Sequence, residues 1–365
     1  VTLAGSKALV GAPVAQMDAL AVARLRAAGA VIVGRTTTVE FAFGGVGLNP
    51  HYGTPKNPFD RSSGGRVPGG SSAGAAVSVA DAMCIMGLGT DTRGSVRIPA
   101  ALCGVTGFKP TASRIPKDGV FPLSYTLDSV GPIANSVKCC AIYDAILAGL
   151  DTVETSTFVP LPGLRLLVPR CFLLDDLDPL VAAAFSRTVA ALEKAGARVV
   201  TQTAPQLTNA ASIYDNGGFA APEAWHVHRH LYSKYNDLYD PRVASRISGG
   251  KDFNAADYIQ LGYAREAAIR EARALLRPFD AMIYPTVPVT APTITEADAS
   301  DEAYSKLNLL LLRNTGLTNL LDGCAVSVPC HQPGEAPVGL SVAGMGGDDS
   351  HILAVASAIQ DCLEA

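Results

Sequence analysis

The sequence predicts an α/β layer fold around a largely parallel or mixed sheet. Two kinds of local pattern and the chain's size predict it. Helical periodicity followed by a glycine stop and a short apolar run occurs twice, and such alternation is the mark of helices layered on a sheet. Short apolar runs closed by Pro or Gly recur toward the C-terminus. The chain has 365 residues, 48% of them hydrophobic, enough to bury a large core and longer than most single cores. One large domain spanning 1–365, with a lobe set into it, is the expected organisation.

Taken in order, "MDALAVARLRAAGAVIVGRT" places Leu20, Ala23, Leu25 and Ala28 at helical spacing, with Gly29 as the stop. Ala30 to Val33 then reads as a buried strand. "VAAAFSRTVAALEKAGARVVTQ" repeats the pattern, with Gly196 ending a helix and Arg198 to Thr201 forming a strand. "FDAMIYPTVP", "CAVSVPC" and "VGLSVAG" read as further strands, and "SHILAVASAIQDCLEA" as a closing amphipathic helix with Ser350 as its cap. Asn57 to Ala73, rich in Gly, Ser and Pro, reads as a long loop of the kind that often carries function. Residues 205–278 change texture to longer polar helices with Trp225 and several tyrosines, which predicts a more helical lobe over the sheet.

Charge narrows the partners. There are 33 acids against 29 bases and only 17% charged residues, so there is no basic field for nucleic acid. This points to a small neutral or polar partner, with no nucleic acid. No uninterrupted run of 18 apolar residues occurs, which argues against a membrane span. No signal-peptide pattern opens the chain. The eight cysteines include no C-x-x-C pair and lie in apolar stretches. They read as reduced, buried thiols and favour a cytoplasmic location.

The chemistry concentrates in Gly69 to Ala100, "GGSSAGAAVSVADAMCIMGLGTDTRGSVRIPA", which holds two glycine-flanked serine sites and no histidine. Glycines let backbone amides approach a ligand closely. A Gly-containing turn or a helix N-terminus supplies the unpaired N–H donors that an oxyanion needs. Taken alone, such a cluster reads equally as ordinary turns or a phosphate loop.

The longer pattern is more specific. "GGSSAG", "GLGTDTRGSVRIPA" and "CGVTGFKPT", in that order and spacing, resemble the amidase signature family of serine hydrolases. So do the segment from "RLRAAGAVIVGRT" to "NPFD", "LDSVGPIANSV" and the ending "PVGLSVAG" followed by a helix, so the resemblance covers nearly the whole chain. It implies a large mixed sheet covered by helices on both faces. It also implies a Ser–cis-Ser–Lys triad in place of a histidine. Ser95 is then the nucleophile, and Ser71, which precedes it by 24 positions, is the bridging serine after a cis Gly70–Ser71 peptide. The backbone N–H groups of Thr92, Arg93, Gly94 and Ser95 would form the oxyanion hole, and Phe43 and Gly44 in "EFAFGG" would line the acyl pocket. The triad lysine would precede the segment matching "TLAGS" at Thr2 to Ser6, which puts it ahead of Val1; Lys7 falls after that segment.

Arg93 stands where the family often has glycine. It must take ordinary backbone angles or carry strain. Its guanidinium is either paired structurally or free to reach an anionic or carbonyl-rich substrate.

Other candidates have plainer readings. His226 and His230 share a helical face, as zinc ligands do, but no nearby carboxylate or cysteine completes a set, so partly exposed helix histidines suffice. Asp91 and Arg97 flank Ser95 as braces for its loop. Lys109 belongs to a different motif from the triad lysine, and Cys103, without a paired histidine, reads as core. No metal and no cofactor is expected. The expected function is an amidase cleaving a C–N bond of a small molecule through a Ser95 acyl-enzyme; the alternatives are a component of a multi-chain enzyme resembling glutamyl-tRNA amidotransferase and a non-catalytic relative. The expected partner is a small-molecule amide selected by the 205–278 lobe, with no membrane, and a homodimer is kept open as the assembly.

Overall fold

The computed structural model describes residues 2–150 and 159–365. In chain order the elements are α1 (Leu20–Ala27), α2 (Ala73–Ala80), β1 (Met86–Asp91), α3 (Arg97–Cys103), β2 (Thr106–Lys109), β3 (Ser129–Ala134), α4 (Val137–Ala148), β4 (Arg165–Arg170), α5 (Pro179–Lys194) and β5 (Arg198–Thr203). Then follow α6 (Pro205–Ala211), α7 (Ala220–Tyr235), α8 (Pro241–Ser248), α9 (Ala255–Leu276), β6 (Ala281–Pro285), α10 (Ile294–Ala297), α11 (Asp301–Leu320), β7 (Cys324–Pro329), β8 (Gly339–Gly344) and α12 (Asp349–Leu363). Among the described residues the strands form one eight-stranded sheet in the order β1-β3-β2-β7-β8-β6-β4-β5. It is mixed. β4 runs parallel to β5 and β6, and the other pairings are antiparallel.

The period-two alternation of the strands divides the core between two faces. Leu166, Val168, Ile283, Val326, Val328, Leu340 and Val342 face a cluster with α4, α5 and α12. Leu167, Met282, Tyr284, Ala325 and Ala343 face a second cluster with α6, α9 and α11. Helices therefore cover both faces, as expected.

Most sequence expectations hold locally. Gly29 and Gly196 end α1 and α5 with φ of +88° and +95°, angles that favour glycine. From 205 to 276 the regular elements are α6 to α9 and short 3₁₀ turns, so this stretch is helical as read. Two expectations fail. Ala30 to Val33 is not a strand; Val31 and Val33 are 84% and 75% exposed, and no described strand pairs with this run. A short apolar run becomes a strand only where a partner edge meets it. Ser350 does not cap the last helix, which begins at Asp349 with Asp348 in the cap position. Asp349 instead turns its carboxylate to Thr111, accepting from the backbone N at 2.7 Å and from Oγ1 at 2.6 Å.

Packing on both sheet faces makes the core a sensitive test of this architecture. Leu166, fully buried in β4, should cost about 2–5 kcal/mol of unfolding free energy when replaced by Ala. Leu180→Ala, at a site 49% exposed, should stay within about 0.5 kcal/mol. Urea denaturation of the two variants checks the contrast.

Candidate active site

Between β1 and α3 the chain leaves the sheet, passes through Ser95 and re-enters a helix. The shape of that loop is set by Asp91, whose carboxylate is completely buried. Its Oδ1 accepts from Gly94 N at 2.7 Å, Arg97 Nη2 at 3.0 Å and Asn319 Nδ2 at 2.9 Å. Its Oδ2 accepts from Val96 N at 3.2 Å and Arg97 Nε at 3.0 Å. Arg97 also donates to Thr315 O at 3.0 Å and Asn319 Oδ1 at 2.6 Å, which ties the loop to α11. Burial alone would push the Asp91 carboxyl upward, but the charge and hydrogen bonds of Arg97 outweigh it and hold the group below its ordinary range. Asp91 and Arg97 are therefore braces of the loop.

Gly94 sits at φ +129°, and a Cβ there would lie 2.1 Å from Thr315 Oγ1. That hydroxyl donates to Arg93 O at 2.6 Å, so helix and loop are in direct contact. Gly94 spends its N–H on Asp91. The N–H groups of Thr92, Arg93 and Ser95 have no acceptor among the described residues. The Thr92 hydroxyl donates to Asp128 Oδ1 at 2.5 Å. Arg93 is absent from the non-glycine positions with positive φ, so its backbone takes ordinary angles.

The other serine site meets this one. The Gly70–Ser71 peptide is cis. The carbonyl of Ser71 accepts from Thr38 Oγ1 at 2.8 Å, Val39 N at 3.1 Å and Ala73 N at 2.8 Å. Ser72 N donates to Ser95 O at 3.2 Å, which joins the two serine loops through their backbones. Ser71 is fully buried, and its Oγ has no hydrogen-bond partner among the described residues. Ser95 is buried to within 3%. Gly45 lies against the Ser71 loop, and Phe43 and Gly44 precede it in the chain. Gly70 N donates to Gly45 O at 2.8 Å, while the Phe43 carbonyl accepts from Arg246 Nη2 at 2.7 Å. Gly44 leaves no room for a side chain, since a Cβ would approach the Tyr304 hydroxyl to 2.6 Å.

The remaining candidates are placed elsewhere or committed to other contacts. Lys109 is buried, its ammonium donating to Pro110 O at 2.6 Å and Gly323 O at 2.7 Å, and burial draws its pKa down to about 8. Cys103 donates its thiol to Pro68 O at 3.3 Å, and burial pushes its pKa far above the ordinary thiol value. His226 and His230 are both exposed on α7. His228 between them is buried against Tyr239, with Nδ1 3.0 Å from the tyrosine oxygen, and burial lowers its pKa to about 4.

Several residues of this neighbourhood escaped the sequence reading, chiefly Thr315 and Asn319 on α11, Tyr214 and Asp128. A signal for the first two was present. The apolar helix "LNLLLLRNTGLTNLL" carries Asn308, Asn314, Thr315, Thr318 and Asn319, all of them buried. Buried polar side chains need partners, and the Ser95 loop supplies them to Thr315 and Asn319.

Removing one member of the Asp91–Arg97 pair leaves the other charged in a dry site. Asp91→Asn should therefore cost about 3–5 kcal/mol of stability. The depressed carboxyl sets the sign of its pH dependence. The contribution is complete above the unfolded-state pKa and is lost as pH falls through the lower folded value. Denaturation at a series of pH values should show wild type and Asp91→Asn converging in acid.

The chain resembles known proteins along almost its full length. The amidase family matches residues 1–353. A 2-amino-5-chloromuconic acid deaminase from Comamonas testosteroni is 37% identical over 345 residues, covering 93% of this chain and 73% of that protein. A component chain of the glutamyl-tRNA(Gln) amidotransferase from Acidobacterium capsulatum is 35% identical, covering 94% of this chain and 78% of the relative. A crystal structure of an amidase superposes with a TM-score of 0.85 at 32% identity, covering 98% of this chain and 80% of that one. Fold, motif order and similarity agree, and the chain belongs to the amidase family.

Proposed function

We propose that this protein hydrolyses the C–N bond of a small-molecule amide through an acyl-enzyme on Ser95. The observation that carries the reading is the Ser71 hydroxyl, buried and without a partner among the described residues, on a loop bonded to the Ser95 carbonyl. A buried hydroxyl needs a partner, and the lysine that the resemblance implies is the partner that a proton relay would give it.

In this mechanism Ser95 Oγ attacks the amide carbonyl while its proton passes to Ser71 Oγ. Ser71 gives its own proton to a neutral lysine, the residue expected ahead of Val1. The proton returns by the same route to the departing nitrogen, the C–N bond breaks, and amine or ammonia leaves. Water then attacks the ester and regenerates Ser95 with release of carboxylate. The N–H groups of Thr92, Arg93 and Ser95 are the oxyanion donors, with Gly94 contributing its backbone angle. Phe43 and Gly44 line the acyl side, supported by the bond from Gly70 to Gly45. The helical stretch from α6 to α9 selects the substrate. The eight unpaired cysteines support a reducing compartment such as the cytoplasm.

A serine-directed fluorophosphonate should add its mass to the peptide holding Ser95 and leave Cys103 unmodified; labelling at Cys103 would overturn the assignment. Ser71→Ala should fold and lose roughly 100- to 10,000-fold in kcat, and near-normal turnover would mean that the base reaches Ser95 directly. The similarity to the amidotransferase chain favours a second reading. Hydrolysis of simple amides by the protein without ATP, tRNA or partner chains supports the first, and a requirement for them supports the second.

A further inference from the structure

Arg93 lies two residues before Ser95, so their Cα atoms are within about 7.6 Å. Its guanidinium has no carboxylate within 4.0 Å among the described residues, whereas its neighbour Arg97 is paired with Asp91. The Arg93 Nε atom is buried and has no hydrogen-bond partner among the described residues. An arginine keeps its charge when buried, and a desolvated charge without a counter-ion is expensive.

The surroundings hold this unpaired cation in place. The guanidinium carbon lies 3.7 Å from the centre of the Tyr214 ring, a stacked arrangement that fixes the plane of the fork. The Tyr214 hydroxyl donates to Gly316 O at 2.9 Å, so the ring is anchored to α11. Gly316 makes the room, since a Cβ there would lie 3.2 Å from Arg93 Nε. Thr315 beside it holds the Arg93 carbonyl at 2.6 Å. Backbone and side chain of Arg93 are thus both fixed from α11, and the hydrogen-bonding edge of the fork meets no carboxylate among the described residues.

We propose that Arg93 binds an anionic group of the substrate, so that the amide hydrolysed at Ser95 carries a carboxylate. A planar guanidinium meets a carboxylate through two parallel N–H···O bonds, which gives orientation as well as affinity. The anion supplies the missing counter-charge and sets the scissile carbonyl at a fixed distance from Ser95. This inference rests on the Ser95 acyl-enzyme reading for its place in catalysis, but the anion site itself can be tested without turnover.

The test compares malonamate, succinamate and glutaramate with propanamide, butanamide and pentanamide, in which a methyl group replaces the carboxylate. At least one acid should exceed its neutral counterpart by roughly 30- to 100-fold in kcat/KM. In Arg93→Gln that ratio should fall to within about threefold of unity, and in Arg93→Lys, which keeps the charge without the fork, it should be intermediate. Calorimetry with Ser95→Ala should show the preferred acid binding. Adding Arg93→Gln should weaken that binding by a similar factor. If no amide is turned over, the acyl-enzyme reading fails while calorimetry still decides the anion site. Equal treatment of charged and neutral amides by wild type overturns the proposal, as does an equal loss on both in Arg93→Gln, the signature of a purely structural or oxyanion role.

Discussion

The buried carboxylate of Asp91 is the contact from which the rest of the candidate site is built. It is the last residue of β1, and it fixes Gly94, Val96 and Arg97 within one turn of chain. Through Asn319 it also fixes the loop to α11. A buried ion pair of this kind contributes little net stability compared with apolar packing of the same volume. Its value is geometric: five donors on two oxygens leave the 91–97 segment one way to run. The Ser95 backbone is placed by that arrangement, with Gly94 at an angle and a clearance that no other residue fits.

The second serine loop is built differently and converges on the first. The carbonyl of Ser71 is held by three donors, while its buried hydroxyl has no partner among the described residues. Helix α11 is the common support. Asn319 and Thr315 brace the Ser95 loop, and Asn308 accepts from Gly45 N at 2.7 Å beside the Ser71 loop. One helix therefore supports both loops, and Arg93 is anchored to it as well.

Much of this was legible in the sequence because the signals are local. Helix stops at glycine, strands closed by Pro or Gly, and a helical stretch after Pro205 all follow from short-range rules. The residue types alone left ordinary turns or a phosphate loop open; it is the resemblance carried by the order of the longer motifs that implies Ser71, Ser95, Thr92, Arg93 and Gly94 as one site. Long-range facts were not legible. Nothing near Ala30 to Val33 reveals whether a strand edge will meet it, and none does among the described residues. The expectation that Gly94 donates its N–H to an oxyanion missed the competing acceptor three residues earlier. Whether Arg93 is paired depends on residues more than a hundred positions away, Tyr214 and Gly316, whose role no local pattern carries.

The Asp91–Arg97 pair acts by setting the presentation of Ser95, not by supplying stability. The Asp91→Asn/Arg97→Met double variant removes both charges and leaves no orphan ion, so it should recover much of the stability lost in the single change. The most direct measurement is the second-order rate at which a fluorophosphonate modifies Ser95 in that double variant, under conditions where circular dichroism shows it folded. Modification should be at least about 100-fold slower than in wild type, in line with the loss of oriented oxyanion donors. Modification at the wild-type rate in the folded double variant would contradict that role of the pair.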